Sequence, residues 1–387
     1  MAKSCKSASW PPSRTKSLGR SSIAFSSRWL ESNPCWPRNH HNGIMYKLSG
    51  NLLTIEWVWV LFLGMRNQRI RPDWCAAYHC IARIVGGERL LGDRDKEVLR
   101  RMMWRQAEFC GVEIVTYCLM SNHVHLLIRV PVDTDVSDAE LVRRIGRLYQ
   151  KKDTWVLFIE QEIARTGKLS PSVRKRLLAR MGDVSAFMKE LKQRFSLWYN
   201  RSRKRFGTLW AERFKSVLIE DQSEALNAVA MYIDLNPVRA GLVNDPMEYR
   251  YCGYAEAVAG NRSVRKQLAE TVGARDWRQG GTAYRRALMV SGGDESRADR
   301  ASLSPAKVRK VLDQGGRLES GELLRLRVRY FSDGLVLGSR EFVDRIFEEF
   351  RDRFGERRKS GARRIRSDGG ALSGLCSARN LQVAEVG

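Results

Sequence analysis

The stretch VEIVTYCLMSNHVHLLIRV, residues 112–130, decides the fold class of this chain. Residues 112–119 and 123–130 are two mostly apolar runs of strand length, and Met-Ser-Asn at 120–122 separates them. This pattern predicts two antiparallel strands joined by a tight turn. Pro131 ends the second strand, because proline cannot donate a hydrogen bond to a neighbouring strand.

The sequence on either side of this hairpin alternates between strand and helix patterns. Alternation predicts a strand over residues 76–84, and apolar spacing predicts a helix from Asp93 that Gly111 ends. The elements that we predict after the hairpin are a helix near 138–150, a polar insertion to about 183, a helix over 185–206, a strand over 213–220 and a helix over 224–236. This order is that of an α+β fold, a ferredoxin-like antiparallel sheet with helices on one face.

The chain of 387 residues divides by pattern into three parts. Residues 65–260 form the main predicted domain, and residues 261–387 a helical and basic C-terminal extension. Residues 1–64 show no sustained period; we expect a translation artefact upstream of Met65, the alternative being a disordered basic arm. The apolar run 52–64 contains Glu56 and is shorter than the ~20 residues that span a bilayer, so no membrane span is expected.

The charge balance indicates a polyanionic partner. The formal net charge is +25 and the pI about 10.1, which fits nucleic acid or an anionic membrane surface. A ribosomal or chromatin protein would share this charge, but 43% hydrophobic residues exclude a disordered basic tail. The eight cysteines include no C-x-x-C pair, which argues against a zinc ribbon and fits a reducing cytoplasm.

His123 and His125 are the first candidate site residues. Side chains two apart on a strand share a face, so the two imidazoles can hold one cation between them. Two imidazoles alone make a weak site, and a third ligand must come from elsewhere in the fold. The alternative is one surface histidine beside one hydrogen-bonded core histidine.

Tyr232 is the candidate nucleophile. It lies four residues from Asn236 on a predicted helix, so both side chains project from one flank. Attack of the phenol on a phosphodiester would give a phosphotyrosine and a free 3′-hydroxyl. A divalent cation on the phosphate would assist a group of pKa ≈ 10, and the carbonyl oxygen of Asn236 can complete the cation's shell. On the residues alone, a core aromatic is the commoner role for such a tyrosine.

Basic and aromatic residues alternate in and after the helix 185–206. Arginine and lysine neutralise phosphates, and exposed aromatic rings stack on unpaired bases. Part of this run is also expected to be an ordinary solvated helix face. The nucleic-acid-binding residues that we predict are Arg201, Arg203, Lys204, Arg205, Trp210, Arg213 and Lys215.

These pieces together resemble the single-tyrosine transposases of the histidine-hydrophobe-histidine (HUH) endonuclease class, and most of all the REP-associated tyrosine transposases. The matching segments are YCLMSNHVHLLI (117–128), FMKELKQRFSLWYN with GTLWAERFKS (187–216), and YIDLNPVRAGLV (232–243), within residues 66–260. The resemblance implies a ferredoxin-like catalytic domain, dependence on Mg²⁺ or Mn²⁺, and a single-stranded, hairpin-forming DNA partner. By position it makes His123 and His125 metal ligands, Tyr232 the nucleophile and Asn236 the third ligand, at a position where some relatives have Gln.

Three functions follow as hypotheses. The first is a metal-dependent, single-stranded DNA nicking and joining enzyme that acts through a 5′-phosphotyrosine. The second is a domesticated DNA- or RNA-binding protein that does not cleave. The third is a hydrolase with His123 and His125 as zinc ligands, for which the usual third His, Cys or carboxylate is missing from the sequence. The sequence leaves open whether two copies form a homodimer.

Overall fold

The computed structural model describes residues 69–131, 136–149, 153–221, 224–292, 331–332, 334–354, 357–365 and 374–379. These residues all belong to one compact unit. The predicted segment 1–64 with its apolar run, and part of the predicted extension 261–387, lie outside the described residues.

Four antiparallel strands form the centre of the sheet, in the order β2-β3-β1-β4. Their bounds are β1 Ala76–Arg83, β2 Glu113–Leu119, β3 His123–Val130 and β4 Lys215–Ile219. Helix α1 (Asp93–Cys110) connects β1 to β2, and helix α5 (Val184–Ser202) precedes β4. This connectivity and strand order are those of the ferredoxin-like fold, so the predicted α+β class is confirmed.

Further helices in the described part of the chain surround this centre. The predicted polar insertion, which reaches to about residue 183, folds into two helices, Thr154–Thr166 (α3) and Pro171–Leu178 (α4). The remaining helices are α2 Asp138–Leu148, α3 Thr154–Thr166, α4 Pro171–Leu178, α6 Glu224–Asp234, α7 Asn236–Arg239, α8 Gly253–Val258, α9 Arg262–Thr271, α10 Trp277–Gly292 and a last helix Arg340–Glu349. None of the helices in the described ranges is long and apolar enough to cross a membrane.

Helices cover both faces of the sheet, whereas the sequence pattern predicted one covered face. On the first face, Trp104 of α1 lies edge-on to the ring of Tyr117 in β2. On the second, Thr116 donates a hydrogen bond of 2.8 Å to Asp234 of α6. The central strands β1 and β3 are buried on both faces. Their sequences are apolar with little alternation, as is typical of strands that are covered on both faces.

The sheet also extends beyond β4, with strands from the part predicted as a helical extension. Strand β5 (Val336–Gly338) pairs with β4 in parallel, so the complete sheet is mixed. Strand β7 (Cys376–Ser377) pairs with β5, and β6 (Arg363–Arg364) pairs with β7, both antiparallel. The order is β2-β3-β1-β4-β5-β7-β6. These strands are two or three residues long, too short for a sequence pattern to reveal.

Candidate active site

The histidine pair lies on the second face of the sheet, at one end of β3. The registers pair Arg83 of β1 with His123 and Ile81 with His125. The two imidazole rings are perpendicular, with centroids 4.9 Å apart. His123 is partly buried, and His125 is only 4% exposed. The strand therefore holds both rings close together, as period-two geometry requires.

A third histidine, His79 of β1, joins this pair. Its Nε2 lies 2.9 Å from Nδ1 of His125, and its Nδ1 lies 2.6 Å from the backbone oxygen of Phe331. The side chain is fully buried, and its ring stacks on that of His125 with centroids 5.1 Å apart. The sequence shows His79 on the same face of β1 as Arg83, but nothing in it indicates this contact.

All three imidazoles are neutral at physiological pH. Burial lowers the pKa of His79 and of His123 to about 4, because a charged ring loses its hydration in the protein interior. Burial, reinforced by the positive charge of neighbouring groups, lowers the pKa of His125 well below its usual value. A neutral imidazole keeps a lone pair on one nitrogen, which is the form of histidine that can bind a metal ion.

Tyr232 faces these histidines from α6. Its ring is perpendicular to that of His125 with centroids 5.6 Å apart, and its centroid is 6.1 Å from that of His79. The ring of Tyr232 also packs against that of Phe331, with centroids 5.2 Å apart. Tyr232 is partly buried. The structure thus brings together the strand-borne histidine pair and the helix-borne phenol.

Two arginines act on the Tyr232 phenol. The guanidinium of Arg239 lies over the Tyr232 ring, 5.1 Å from its centroid, and contacts the hydroxyl. Burial raises the pKa of Tyr232, and the positive charges of Arg239 and Arg83 oppose that rise. Both arginines can also neutralise a phosphate placed at the phenol. Neither was predicted from the sequence, although Arg239 follows Tyr232 by seven residues, two helical turns.

Asn236 lies beside the pair, and its side chain fits a ligand role. Its Nδ2 donates to the backbone oxygens of Tyr232, at 2.9 Å, and Ile233, at 3.3 Å. The amide nitrogen is thereby occupied, and the carbonyl oxygen is the atom left to face His123. Burial lowers the pKa of His123, and the contact with Asn236 opposes that lowering. Two neutral imidazoles and one amide oxygen form a mixed nitrogen and oxygen donor set that suits Mn²⁺ better than Mg²⁺, which prefers oxygen ligands.

A zinc site of the usual composition does not form around the pair. Within the described ranges, no three or more His, Cys, Asp or Glu side chains have the arrangement that holds a metal ion. Both ring nitrogens of His79 are engaged in hydrogen bonds, so it does not serve as the third ligand. The hydrolase hypothesis gains no support from this geometry.

The predicted nucleic-acid-binding residues occupy different environments. Arg201, Lys204 and Arg213 are exposed. Arg203 holds both carboxylate oxygens of Asp95 at 2.6 Å. Trp210 is buried, and its indole N–H donates to the backbone oxygen of Lys192. The ring of Trp210 therefore packs in the core instead of presenting a stacking surface.

The two remaining predicted residues, Arg205 and Lys215, are partly buried. Arg205 has an Nη1 atom that is buried with no hydrogen-bond partner. Lys215 opens β4, with its ammonium group 3.9 Å from Glu212. Neither environment excludes a phosphate contact, and neither places these side chains as openly as Arg201, Lys204 and Arg213.

An exposed aromatic residue missing from the prediction lies in the same loop. Phe206 is 93% exposed. The loop is attached to the end of β1, because Val85 N–H donates to Leu209 O and Ala211 N–H to Arg83 O. Arg83 is the register partner of His123. The basic loop and the histidine pair therefore lie at the same end of the sheet.

Comparison with known proteins finds a family match over part of the chain. Residues 74–152 match the family described as "Transposase IS200 like". A solved structure described as the REP-associated tyrosine transposase bound to a REP hairpin aligns with 48% of this chain and 80% of its own, at 14% identity and a TM-score of 0.32. No curated protein matches the chain. The family match includes β1 to β3 with the histidine pair and ends before Tyr232.

Proposed function

We propose that this chain, which is similar over residues 74–152 to IS200-like transposases, is a metal-dependent enzyme that nicks and joins single-stranded DNA. Tyr232 is its nucleophile in this proposal. The observation that carries the proposal is the approach of the Tyr232 ring to His125, at 5.6 Å between centroids, on the face that also holds His123 and Arg239.

The proposed reaction is an exchange of phosphodiester bonds. The phenol oxygen attacks phosphorus, the bond to the 3′ oxygen breaks, and a 5′-phosphotyrosine forms. The phenol proton is lost and the departing oxygen gains one, which yields a free 3′-hydroxyl. Attack of a 3′-hydroxyl on the phosphotyrosine reverses these steps and joins two DNA ends without an external energy source.

The side chains around Tyr232 have distinct parts in this reaction. Arg239 and Arg83 stabilise negative charge on the phenol and on the phosphate. Burial raises the pKa of the Tyr232 hydroxyl, and the positive charges of both arginines lower it. His123, His125 and Asn236 would hold a Mg²⁺ or Mn²⁺ ion. When bound, such an ion polarises a phosphoryl oxygen and orients the phosphate.

The DNA in this proposal reaches Tyr232 along the loop after α5. Arg201, Lys204 and Arg213 supply phosphate contacts, and Phe206 supplies the exposed ring on which an unpaired base can stack. A hairpin-containing strand is the proposed substrate. Cytoplasmic location and a homodimer remain predictions.

Covalent capture of DNA tests the proposal. An oligonucleotide with a hairpin is labelled at either end and incubated with protein and Mn²⁺. A 5′-phosphotyrosine retains the 3′-labelled fragment on the protein and releases the 5′-labelled one. Tyr232→Phe is expected to abolish the adduct while DNA affinity stays within about threefold, because only one hydroxyl is removed. An adduct in this variant would refute the assignment of the nucleophile.

The control for this experiment is Tyr149→Phe. Tyr149 lies at the end of α2, where its hydroxyl contacts Arg180, away from the histidines. This variant is expected to form the adduct as the wild type does. If the wild-type protein binds DNA in EDTA yet forms no adduct in Mn²⁺, the non-cleaving binding protein becomes the better description.

A further inference from the structure

Two consecutive hydrogen bonds connect Phe331, His79 of β1 and His125 of β3. Together they form a chain that begins at the backbone oxygen of Phe331, passes through both nitrogens of His79 and ends at Nδ1 of His125. Phe331 and His79 are 252 residues apart in the chain. All three participating residues are buried.

The carbonyl at one end sets the direction of this chain. A carbonyl oxygen only accepts, so Nδ1 of His79 carries a proton and donates to Phe331. A neutral His79 then has an unprotonated Nε2, which accepts. The Nδ1 of His125 must therefore be the donor in the 2.9 Å contact, and its Nε2 is left unprotonated.

A neutral His79 follows from its surroundings. The side chain is fully buried, and its neighbours from the other elements are His125 of β3, Tyr232 of α6 and the Phe331 carbonyl. No carboxylate is among these contacts in the described part of the chain. A charged imidazole would there be desolvated without a counter-charge, which is costly.

We propose that His79 is a positioning residue that holds His125 in the Nδ1–H tautomer and so directs the Nε2 lone pair toward the metal ion. This role rests on the proposed function of the site. Neutral histidine in water favours the opposite tautomer, in which Nε2 carries the proton. A histidine in that tautomer cannot bind a metal ion through Nε2. Outer partners of this kind commonly change metal affinity by 10–100-fold.

The proposal also gives the C-terminal part of the chain a role in the site. The Phe331 carbonyl orients His79, and the Phe331 ring packs on Tyr232 at 5.2 Å between centroids. A segment outside the family match at 74–152 thus completes the environment of both the ligand and the nucleophile.

Nitrogen NMR of the metal-free, full-length protein tests the tautomer directly. Long-range ¹H–¹⁵N spectra at pH 7.5, assigned with a His125→Gln variant, distinguish a protonated Nδ1 from a protonated Nε2. We expect Nδ1–H for both His79 and His125. A protonated Nε2 on His125 in the wild-type protein would overturn the proposal, whatever the protein does to DNA.

Two variants of His79 then test the consequence for metal binding. His79→Phe fills the space but removes the acceptor, and is expected to weaken Mn²⁺ binding by about 10–100-fold. His79→Gln keeps an acceptor for His125 Nδ1–H and is expected to bind Mn²⁺ within about threefold of wild type. Titration of Mn²⁺ by electron paramagnetic resonance measures both, without any need for DNA cleavage.

The outcomes separate this role from packing and from the proposed reaction. Equal loss of Mn²⁺ affinity in both variants, or none in His79→Phe, would contradict the proposal. If His79→Phe does not fold, the wild-type tautomer decides. Failure of Tyr232 to form a covalent adduct would refute the enzyme and leave the tautomer result standing.

Discussion

Gly253 shows how a single residue limits the packing of helices against the sheet. A Cβ built at this position would lie 2.1 Å from Oγ1 and 2.9 Å from Cα of Thr116 in β2. Gly253→Ala is expected to lower the free energy of unfolding by about 1–3 kcal/mol, because either helix α8 or strand β2 must shift to make room for the methyl group. Urea denaturation followed by circular dichroism measures the change.

Gly146 provides the matched control for that substitution. It is exposed in α2, and a Cβ there would meet nothing within 4 Å. Gly146→Ala is expected to raise the free energy of unfolding by about 0.5–1 kcal/mol, since alanine is the better helix former. Equal effects at the two positions would mean that the close approach to Thr116 is not a constraint.

Arg239 is expected to contribute to the proposed reaction through its positive charge at the Tyr232 phenol. Arg239→Gln removes a positive charge that contacts the Tyr232 phenol. We expect the rate of adduct formation at saturating DNA to fall about 10²–10³-fold, the usual loss for one charge-stabilising group in an active site. Single-turnover kinetics with a 3′-labelled oligonucleotide provide the rate.

Arg201→Gln is the comparison for Arg239→Gln. Arg201 is exposed at the end of α5. Its loss should weaken DNA binding and leave the rate at saturating DNA within about threefold of wild type. An Arg239→Gln variant that shows the same pattern would place Arg239 in DNA binding alone.

At the scale of elements, Asp234 connects the helix that carries Tyr232 to three other elements. Its carboxylate accepts from Thr116 of β2, from the backbone N–H of Tyr254 in α8 and from Tyr284 of α10. Asp234→Ala would leave three buried donors without a partner, each costing about 1–3 kcal/mol. We expect a loss of at least about 3 kcal/mol in thermal or urea unfolding.

The same carboxyl predicts a dependence of stability on pH. Burial raises the pKa of Asp234 to about 7, so the folded protein binds a proton that the unfolded chain releases near pH 4. Stability relative to an Asp234→Asn variant should therefore fall as pH rises from about 4 to about 7, by about 1.4 kcal/mol per pH unit. Urea unfolding of both proteins at pH 5 and pH 7 gives the difference. A difference that is constant or grows with pH would contradict the raised pKa.

At the scale of the whole molecule, the net charge of +25 predicts that binding of the proposed DNA substrate depends on salt. Binding of single-stranded DNA releases counterions, so the logarithm of affinity falls with the logarithm of salt by about 0.7 per phosphate neutralised. Replacing Arg201, Lys204 and Arg213 together by Gln should reduce the slope by about 2. Fluorescence anisotropy at several salt concentrations measures it.

Three exposed basic residues on the inserted helices serve as the control set. Arg165, Lys168 and Lys175 lie in or between α3 and α4. Their replacement by Gln removes the same net charge from a different surface. We expect the slope to stay within about 0.5 of wild type. Equal slopes for both triple variants would show that charge acts through the overall field and not through the loop after α5.

Local patterns accounted for the central fold and for the first members of the site. The apolar hairpin 112–130 predicted β2 and β3, and period-two geometry placed His123 and His125 on one face. Helical spacing likewise placed Tyr232 and Asn236 on one flank. These features depend on residues within a few positions of one another, so the sequence contains all the information that they need.

Tertiary structure decided everything that depends on distant partners. His79 of β1 contacts His125 of the neighbouring strand β3, and the backbone oxygen of Phe331, 252 residues from His79 in the chain, contacts His79 as well. Trp210 is buried because α5 covers it, while Phe206 nearby has no such cover. No local period encodes such contacts, because they arise when long-range packing brings separate elements together. The sequence therefore determined which groups are available for chemistry, and the packing decided which of them touch.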